Sequence, residues 1–380
     1  MTSDITLFVN PTAGRGRGAH AARPADRALR DAGFAVRTVL GHDAADALRR
    51  ARAAVADGTD ALVAVGGDGM VSLALQAVAD TRTPLGIIAA GTGNDFARTL
   101  GLPVRDPAAA ARVTAEILKT TGARSIDLGR ISGMHTGAGA PTGPAPTGPA
   151  PTGPAPTGPA PTGRATPGPA TPGRATPEAA APGRATQGPA TPGRATPGPA
   201  TPGGTTTTRW YGTVLASGFD SRVNDRGNRM RIPAGRFKYD LAILAELAGF
   251  RPVPYRLTLD DGRVVETDAT LVAVGNGSSY GGGMRICADA RTDDGLLDVT
   301  VVGDCDRTTL IKVFPRVYKG THLDHPKVTT YRVRALTLDA PRTTGYADGE
   351  PLGPLPLTVE CVPAALRVLA PSQSPSTSPR

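Results

Sequence analysis

Short apolar runs alternate with longer amphipathic stretches through the first third of the chain. The runs predict β-strands and the stretches predict helices, the clearest being strands at 5–9, 34–40, 61–65 and 85–89 and helices at 21–32 and 44–56. This alternation is typical of a mostly parallel sheet, which binds ligands at the carboxyl ends of its strands. We therefore predict an α/β domain over residues 1–128.

The pattern changes after residue 208, where strands follow one another with little helix between them. The predicted strands lie at 210–216, 255–259, 270–274, 297–302 and 333–338, and one helix is predicted at 239–248. Asp-Gly pairs that begin at Asp261, Asp294 and Asp348 are typical of hairpin turns. This half predicts an antiparallel sandwich or barrel-like domain over 129–362, followed by a C-terminal tail over 363–380. The active-site cleft is expected between the two domains.

Residues 136–208 interrupt this second domain with Ala-Pro-Thr-Gly-Pro and Arg-Ala-Thr-Pro-Gly repeats. Almost no large apolar residue is available there to form a core, so an extended or disordered segment is expected. A docking site for a proline-binding partner is one reading of such a segment. Repeat expansion in a tolerant surface loop is the more economical one, and we interpret the segment as an insertion.

Composition limits the class of protein. The chain has no apolar run of the roughly 18 residues that a membrane-spanning helix needs, its N-terminus does not resemble a signal peptide, and it has only three scattered cysteines. A cytoplasmic, non-spanning protein is expected. The net charge of +9 is compatible with nucleic acid, an anionic membrane surface or a phosphate-rich ligand, and charge alone does not choose among them. The spread of the basic residues argues against nucleic acid, and a solvated basic surface is the simplest interpretation.

Two glycine-rich turns follow neighbouring strands. The strand at 61–65 leads into Gly66-Gly67-Asp68-Gly69 and a helix, and the strand at 85–89 leads into Gly91-Thr92-Gly93-Asn94-Asp95. Bare backbone amides at a helix N-terminus form an anion site, and a carboxylate among them indicates a metal–nucleotide. An ordinary βα turn at Gly66–Gly69 and helix capping by Asn94 or Asp95 remain open alternatives.

The loop from Asn10 to Gly18 is glycine-rich but differs from two common nucleotide motifs. Ala19 stands where a dinucleotide-binding fingerprint would need its third glycine, and the chain contains no Gly-x-x-x-x-Gly-Lys-Ser/Thr sequence. A dinucleotide-dependent oxidoreductase is therefore a weak alternative. A P-loop NTPase is excluded.

Taken together, the motifs resemble the diacylglycerol kinase catalytic family, which includes bacterial lipid kinases and is related to sphingosine and ceramide kinases. The resemblance covers both sides of the insertion. Its carriers, in family order, are Asn10-Pro11, Gly66-Gly67-Asp68-Gly69, Gly91-Thr92-Gly93-Asn94-Asp95, Gly275-Asn276 through Tyr280-Gly281-Gly282-Gly283-Met284, Asp294-Gly295-Leu296-Leu297-Asp298 and Asp348-Gly349-Glu350-Pro351. The resemblance implies a Rossmann-like N-terminal domain and a C-terminal β-sandwich domain that closes over it.

The resemblance also implies the roles of individual residues. It assigns ATP contacts to Asn10, Thr38, Gly66, Gly67, Asp68, Gly69, Met70, Val71, Ser72, Leu73 and Thr92. It makes Glu350 the general base and gives Asp68, Asp127 and Asp348 the task of holding water and catalytic Mg²⁺. A second, structural Mg²⁺ is implied at Asp294, with the carbonyl groups of Arg291 and Leu296. A strand-end turn at Asp127 and a plain hairpin turn at Asp294 remain open.

The implied activity is transfer of the γ-phosphate of ATP to a hydroxyl of a membrane lipid such as diacylglycerol. The implied partner is a lipid at the inner face of the membrane, contacted peripherally, and a homodimer is left open. Met70 stands where most family members have Thr, and Ser72-Leu73 replaces a common Asn-Glu pair, so lower activity or another acceptor is conceivable. The rival readings are a kinase similar to NAD kinase and a non-catalytic binding module whose Pro-rich loop recruits partners.

Overall fold

The computed structural model describes residues 3–9, 13–134, 207–218 and 252–372. Residues 1–136 and 204–380 form one compact unit. Asn10, most of the predicted insertion at 136–208 and the predicted helix at 239–248 lie outside the described residues.

The N-terminal half is a parallel sheet covered by helices, as predicted. Its elements in chain order are β1 (Asp4–Val9), α1 (Ala13–Asp31), β2 (Ala35–Leu40), α2 (Ala44–Ala56), β3 (Ala61–Gly66), α3 (Asp68–Val78), β4 (Leu85–Ala89), α4 (Asp95–Thr99) and α5 (Pro107–Lys119). The strands lie in the order β4-β3-β1-β2. Every residue of β3 and β4 is buried, since helices cover both faces of a parallel sheet. The carboxyl ends of these two strands therefore meet at one edge.

The C-terminal half is mainly antiparallel. Its elements are β5 (Arg124–Met134), β6 (Thr207–Tyr211), β7 (Val214–Gly218), β8 (Val253–Leu259), β9 (Val264–Gly275), β10 (Leu297–Gly303), α6 (Arg307–Lys319), β11 (Val328–Val333), β12 (Ala335–Asp339), β13 (Thr344–Ala347), β14 (Glu350–Pro354) and β15 (Leu357–Val368). The strands run in the order β14-β13-β7-β9-β8-β12-β15, and β10 pairs with both β9 and β11. The predicted fold class, a parallel α/β half joined to an antiparallel β half, is confirmed.

The last strand, β15, ties the two halves together. It pairs antiparallel with β12 and β5, and its final residue, Val368, pairs in parallel with Leu85 at the start of β4. Leu366, Val368 and Leu369 have no exposed surface. The two halves thus share one continuous sheet, and the loops at their junction are held by it.

Several predicted boundaries differ from the structure. The domain boundary after residue 128 falls inside β5, and the tail predicted from residue 363 is still part of β15. The insertion was predicted to end at residue 208, but β6 begins at Thr207. In each case pairing with a strand distant in sequence extends the element, which composition alone does not reveal.

Two predicted strands are each divided in the structure. The strand predicted at 210–216 breaks between β6 and β7, where the amides of Gly212 and Thr213 turn toward a side chain. The strand predicted at 333–338 breaks at Arg334, whose amide donates to Asp260 Oδ2 at 2.6 Å. Side-chain acceptors replace the ladder partners at both breaks.

Removal of residues 137–203 is expected to leave the fold intact. Met134 and Thr207 are paired across β5 and β6, so the two ends of the excised segment are adjacent. Fusing Thr136 to Gly204 leaves residues 135, 136 and 204–206 as a hairpin loop of about five residues, a common length. Shortening the loop also lowers the entropic cost of closing it, so urea denaturation should show an unchanged stability or a gain of up to about 2 kcal/mol. An insoluble product, or one that no longer binds ATP, would contradict this prediction.

Candidate active site

The two glycine turns at the ends of β3 and β4 touch each other. A Cβ atom added to Gly91 would lie 2.5 Å from the Cα of Gly67, and one added to Gly67 would lie 3.1 Å from the Cα of Gly91. Gly67 is the N-cap of α3 and offers no side chain to the helix amides. Close contact of the two backbones therefore requires glycine at both positions and places bare amides at one edge of the sheet.

Asp68 and Asn94 hold the second turn in shape. The Asp68 carboxylate accepts hydrogen bonds from the amides of Asn94 and Asp95, each at 2.7 Å. Asn94 adopts the left-handed conformation (φ 58°), and its side chain bonds the backbone of Gly91 through both Oδ1 (2.9 Å) and Nδ2 (3.0 Å). Asn94 occupies the N-cap position of α4, but its side chain makes no capping bond, so side-chain capping by Asn94 is wrong. Burial raises the pKa of Asp68, and the two amides partly offset the effect.

Asp95 joins the two halves of the chain. The sequence predicts no role for it other than helix capping. Its Oδ2 accepts a hydrogen bond from the amide of Gly282 at 2.8 Å. Its Oδ1 is buried and has no hydrogen-bond partner among the described residues. Burial first, and then the negative charge of Asp68, raise the pKa of Asp95 to about 6. Its position directly after a glycine turn, at the carboxyl edge of the sheet, was the available signal.

The predicted Asp348-Gly349 turn is present and connects β13 to β14. Both residues have positive φ (49° and 82°), and Ala347 pairs with Glu350, as in a two-residue type I′ hairpin. The Asp348 carboxylate accepts from the amides of Gly212 (2.8 Å) and Thr213 (2.9 Å) and from Thr213 Oγ1 (2.5 Å). These bonds fasten the hairpin to the turn between β6 and β7.

The negative charge of Asp68 also affects the pKa of Asp348 across the junction of the two halves. Burial is the main cause that raises the pKa of Asp348, its hydrogen-bond donors oppose it, and the charge of Asp68 adds to it. The two carboxylates come from opposite halves of the chain, one from α3 and the other from the β13–β14 hairpin. The junction therefore concentrates negative charge that only a cation or protons can neutralise.

Glu350 reaches the first turn of α3 from the β half. A Cβ atom added to Gly69 would lie 3.0 Å from Glu350 Oε1, so the carboxylate rests directly against this glycine. Glu350 is partly exposed. The carboxylates of Asp68, Asp95, Asp348 and Glu350 thus surround the edge where the two glycine turns meet, in agreement with a cleft between the two halves.

The other predicted nucleotide contacts are distributed unevenly. Met70 and Val71 are buried in the core that packs on α3, Leu73 is half-buried against the same core, and Ser72 is buried. Thr92 is exposed on the second turn. Thr38 is also exposed, but it lies on β2, which β1 separates from β3. The Met70 side chain, which stands in place of the usual Thr, packs in the core.

Asp127 is not brought to the cluster of carboxylates. It lies within β5, not at a strand-end turn, and its Oδ2 and Oδ1 accept from the amides of Gly295 (2.7 Å) and Ala364 (2.8 Å). Its carbonyl oxygen accepts from Asn276 Nδ2 at 2.9 Å. Both carboxylate oxygens are therefore used to clamp backbone segments of the β half. The contacts give Asp127 a structural role, and the role in holding water and Mg²⁺ that the resemblance implied for it stays a prediction.

The turn at Asp294 does not fit the predicted second Mg²⁺. Asp294 Oδ1 accepts from the amide of Leu296 at 3.1 Å, as in a plain Asx turn, and Oδ2 is paired with the guanidinium of Arg332. Arg291 directs its side chain to Asp293 at 3.3 Å. A cationic side chain thus already neutralises the one carboxylate of the implied site, so the residues present do not fit a second Mg²⁺.

The carboxylates at the junction fit a nucleotide-borne Mg²⁺ better. Within residues 3–9, 13–134, 207–218 and 252–372, no three acidic, His or Cys side chains are grouped so as to hold a metal alone. Mg²⁺ commonly binds through one or two carboxylates, substrate phosphates and water. The buried, unpartnered Oδ1 of Asp95 beside Asp68 supplies an oxygen ligand of the required kind.

Gly91→Ala is expected to disrupt the junction of the two turns. The new methyl group would meet the Gly67 backbone and lie 2.8 Å from Asn94 Oδ1, and neither neighbour is free to move. Overpacking of this kind costs about 1–3 kcal/mol, and displaced amides should weaken ATP binding, measurable by calorimetry. Gly303→Ala is the matched control, since its nearest contact would be an ordinary 3.5 Å. Equal ATP affinity in the two variants would contradict the prediction.

Two family models match the chain on either side of the insertion. Residues 4–131 match the diacylglycerol kinase catalytic domain, and residues 213–370 match the YegS C-terminal NAD kinase beta sandwich-like domain. The two matched ranges contain the glycine turns and the Asp348-Glu350 hairpin, respectively.

Similar proteins cover nearly the whole chain. A protein named diacylglycerol kinase from Mycobacterium tuberculosis is 38% identical over 97% of this chain and 95% of its own length. A protein from Xanthomonas axonopodis named "Probable lipid kinase YegS-like" is 27% identical over 93% and 92%. The crystal structure of a diacylglycerol kinase from Bacillus anthracis aligns with a TM-score of 0.60 over 97% of both chains at 19% identity, which supports the fold. No helix in the described part of this chain is long and apolar enough to cross a membrane.

Proposed function

Because this chain belongs to the diacylglycerol kinase family of ATP-dependent lipid kinases, we propose that it transfers the γ-phosphate of ATP to the free hydroxyl of diacylglycerol. The observation that carries the proposal is the contact of Glu350 with Gly69. It places a carboxylate from the β half beside the amides of the turn before α3. A proton acceptor and a phosphate site are thereby adjacent, which is what phosphoryl transfer to an alcohol requires.

The glycine turns bind the phosphates in this mechanism. The turns at Gly66–Gly69 and Gly91–Gly93 present backbone amides, and α3 adds the positive end of its dipole. Asp68 keeps the second turn in register by accepting from the amides of Asn94 and Asp95. The amides are fixed before the substrate arrives, so little reorganisation is needed when charge develops on the transferred group.

Glu350 acts as the general base. The lipid hydroxyl gives its proton to the Glu350 carboxylate while its oxygen forms a bond to the γ-phosphorus. The bond from the γ-phosphorus to the β–γ bridging oxygen breaks, and ADP leaves with that electron pair. The Asp348 bonds to Gly212 and Thr213 fix the hairpin that carries Glu350, which keeps the base at a constant distance from the turn.

Mg²⁺, when bound with ATP, supplies positive charge to the phosphate oxygens and lowers the barrier to transfer. Asp68, Asp95 and Asp348 are the side chains that would hold it, directly or through water. Burial is the main cause that raises the pKa of each of these carboxyl groups, and the charge of Asp68 adds to the rise for Asp95 and Asp348, so a bound cation would offset part of this cost. The same groups would exclude a free anion from the cleft.

A panel of acceptors tests the proposal. The full chain is incubated with Mg²⁺ and γ-labelled ATP and with diacylglycerol, monoacylglycerol, ceramide or sphingosine in uncharged detergent micelles, and with NAD in buffer. We expect label in phosphatidic acid formed from diacylglycerol. Labelled NADP with unlabelled lipids would establish the soluble-substrate alternative that the NAD kinase-like β domain suggests. ATP binding without transfer to any acceptor would establish a non-catalytic module.

A further inference from the structure

Lysine is concentrated at α6 in a chain whose basic residues are mostly arginine. The chain has five lysines, and three of them, Lys312, Lys319 and Lys327, fall within one short stretch. α6 contains no Asp or Glu, and its last turn carries Arg316 and Lys319. Asp306 lies outside the helix and caps it, accepting from the amide of Thr309 at 2.6 Å. All charged side chains of the helix itself are therefore positive.

Lys312 and Lys319 lie on the outward face of α6. Val317 is buried against the β half, with Leu310 and Phe314 partly buried beside it, whereas Lys312, Pro315 and Lys319 are exposed. Tyr318 stands at the margin of the two faces, 38% exposed, with its ring 5.9 Å from that of Phe314. A basic outer stripe with an aromatic residue at its edge is the composition of helices that lie on membrane surfaces.

The same helix adjoins the loop that contacts Asp95 in the candidate active site. The carbonyl of Val317 accepts from the amide of Arg285 at 3.1 Å, and Arg285 is itself an exposed cation near Gly320 at the end of α6. Arg285 directly follows the loop 280–284, whose Gly282 bonds Asp95 at 2.8 Å. The basic face is therefore connected to the carboxylate junction through one short, hydrogen-bonded segment.

We propose that the outward face of α6, formed by Lys312, Arg316, Tyr318 and Lys319 with Arg285 at its end, is the surface by which this protein docks on an anionic lipid bilayer. The inference rests on the proposed function only in giving docking its purpose, since a lipid acceptor has to be reached at a membrane. The cations contact phosphate headgroups, and Tyr318 lies at the headgroup level, where aromatic residues with a polar tip are favoured. We choose an anionic bilayer as the docking partner because its negative charge complements the basic face of α6.

Vesicle binding by a charge-reversal variant tests the docking face. Wild type, K312E/K319E and the control R105E/R112E are sedimented with vesicles of phosphatidylcholine alone or mixed two to one with phosphatidylglycerol. The control makes the same change in net charge on exposed arginines near α5. Each basic residue at an anionic surface contributes about a fivefold gain in affinity, so K312E/K319E should bind mixed vesicles at least about 25-fold more weakly. The control should lose far less, and added salt should abolish the wild-type preference.

A tryptophan probe at position 318 tests, independently of charge, how deeply this position enters the bilayer. Y318W in a W210F background has one tryptophan, because Trp210 is the only native one. Its fluorescence should be quenched by brominated phosphatidylcholine in mixed vesicles. V264W in the same background is the control, since Val264 is also an exposed apolar residue, on β9, and should not be quenched.

The outcomes separate this inference from the proposed function. K312E/K319E should still phosphorylate diacylglycerol in uncharged micelles, and failure of the wild type in that assay would reject the lipid kinase proposal without affecting the vesicle result. Equal loss of vesicle binding in both charge variants, no loss in either, or an unquenched Y318W would overturn the α6 face. So would loss of oligonucleotide binding in K312E/K319E with vesicle binding unchanged, which would indicate a nucleic-acid partner.

Discussion

Glu350→Gln is expected to lower kcat by about 10²- to 10⁴-fold, the usual contribution of a positioned general base. The amide keeps the shape of the side chain against Gly69 but cannot accept the proton of the lipid hydroxyl. Because Asp348 and its partners still hold the hairpin, the fold and the affinity for Mg·ATP should be unchanged. Steady-state kinetics with saturating lipid and ATP, together with calorimetric titration of Mg·ATP, measure both effects.

Glu266→Gln is the matched control for this prediction. Glu266 is an exposed residue of β9 whose carboxylate pairs with Arg256 at 2.7 Å. The same change of carboxylate to amide there should leave kcat within about twofold, since exposed ion pairs contribute little. If Glu350→Gln kept full activity at saturating substrates, the base would have to be another group, and Asp348 would be the next candidate.

Asp68→Asn is expected to damage both nucleotide binding and turnover. The carboxylate accepts one hydrogen bond at each oxygen, and an amide can accept only one of the two. The second backbone amide would face an NH₂ group, and leaving a buried donor unsatisfied costs about 1–3 kcal/mol. The turn at Gly91–Asn94 should then shift, and loss of a metal-orienting carboxylate typically costs about 10- to 100-fold in affinity or activity.

The distinguishing result for Asp68→Asn is a raised KM for ATP together with a lower kcat, in contrast to Glu350→Gln. Asp106→Asn is the control, because Asp106 also accepts a backbone amide, that of Ala109 at 2.9 Å, but caps α5 away from the junction. Asn is as good an N-cap as Asp, so this variant should behave like the wild type. A pure kcat effect with unchanged ATP affinity would contradict the role given to Asp68.

Glycine-rich turns were predictable because their chemistry is local. Gly66-Gly67-Asp68-Gly69 follows a continuous apolar run and precedes a helix, and the carboxyl ends of adjacent parallel strands meet at one edge. The Asp348-Gly349 hairpin was predictable for the same reason, since two successive residues with positive φ are tolerated best by Asp or Asn followed by Gly. In both cases a few neighbouring residues determine the backbone conformation.

The contacts of Asp127 show what the local sequence leaves undecided. An aspartate in the sequence Ser125-Ile126-Asp127-Leu128 can serve a metal, a turn or a backbone clamp, and only its surroundings decide which. Those surroundings come from Gly295 and Ala364, which are 168 and 237 residues away along the chain. Asp294 presents the same difficulty, because Arg332 on a later strand turns an apparent cation site into an ion pair.

The sequence by itself determined the elements, the two kinds of sheet, the glycine turns and the family, because strand and helix periodicity and turn chemistry are properties of neighbouring residues. The resemblance had already assigned Asp68, Asp348 and Glu350 to one site, and the tertiary structure alone added Asp95 to them. Asp95 bonds Gly282 across 187 residues, and Glu350 meets Gly69 only because β15 joins the β half to β4. Contacts between groups so far apart in the chain arise from packing of the whole sheet, and no local pattern encodes them.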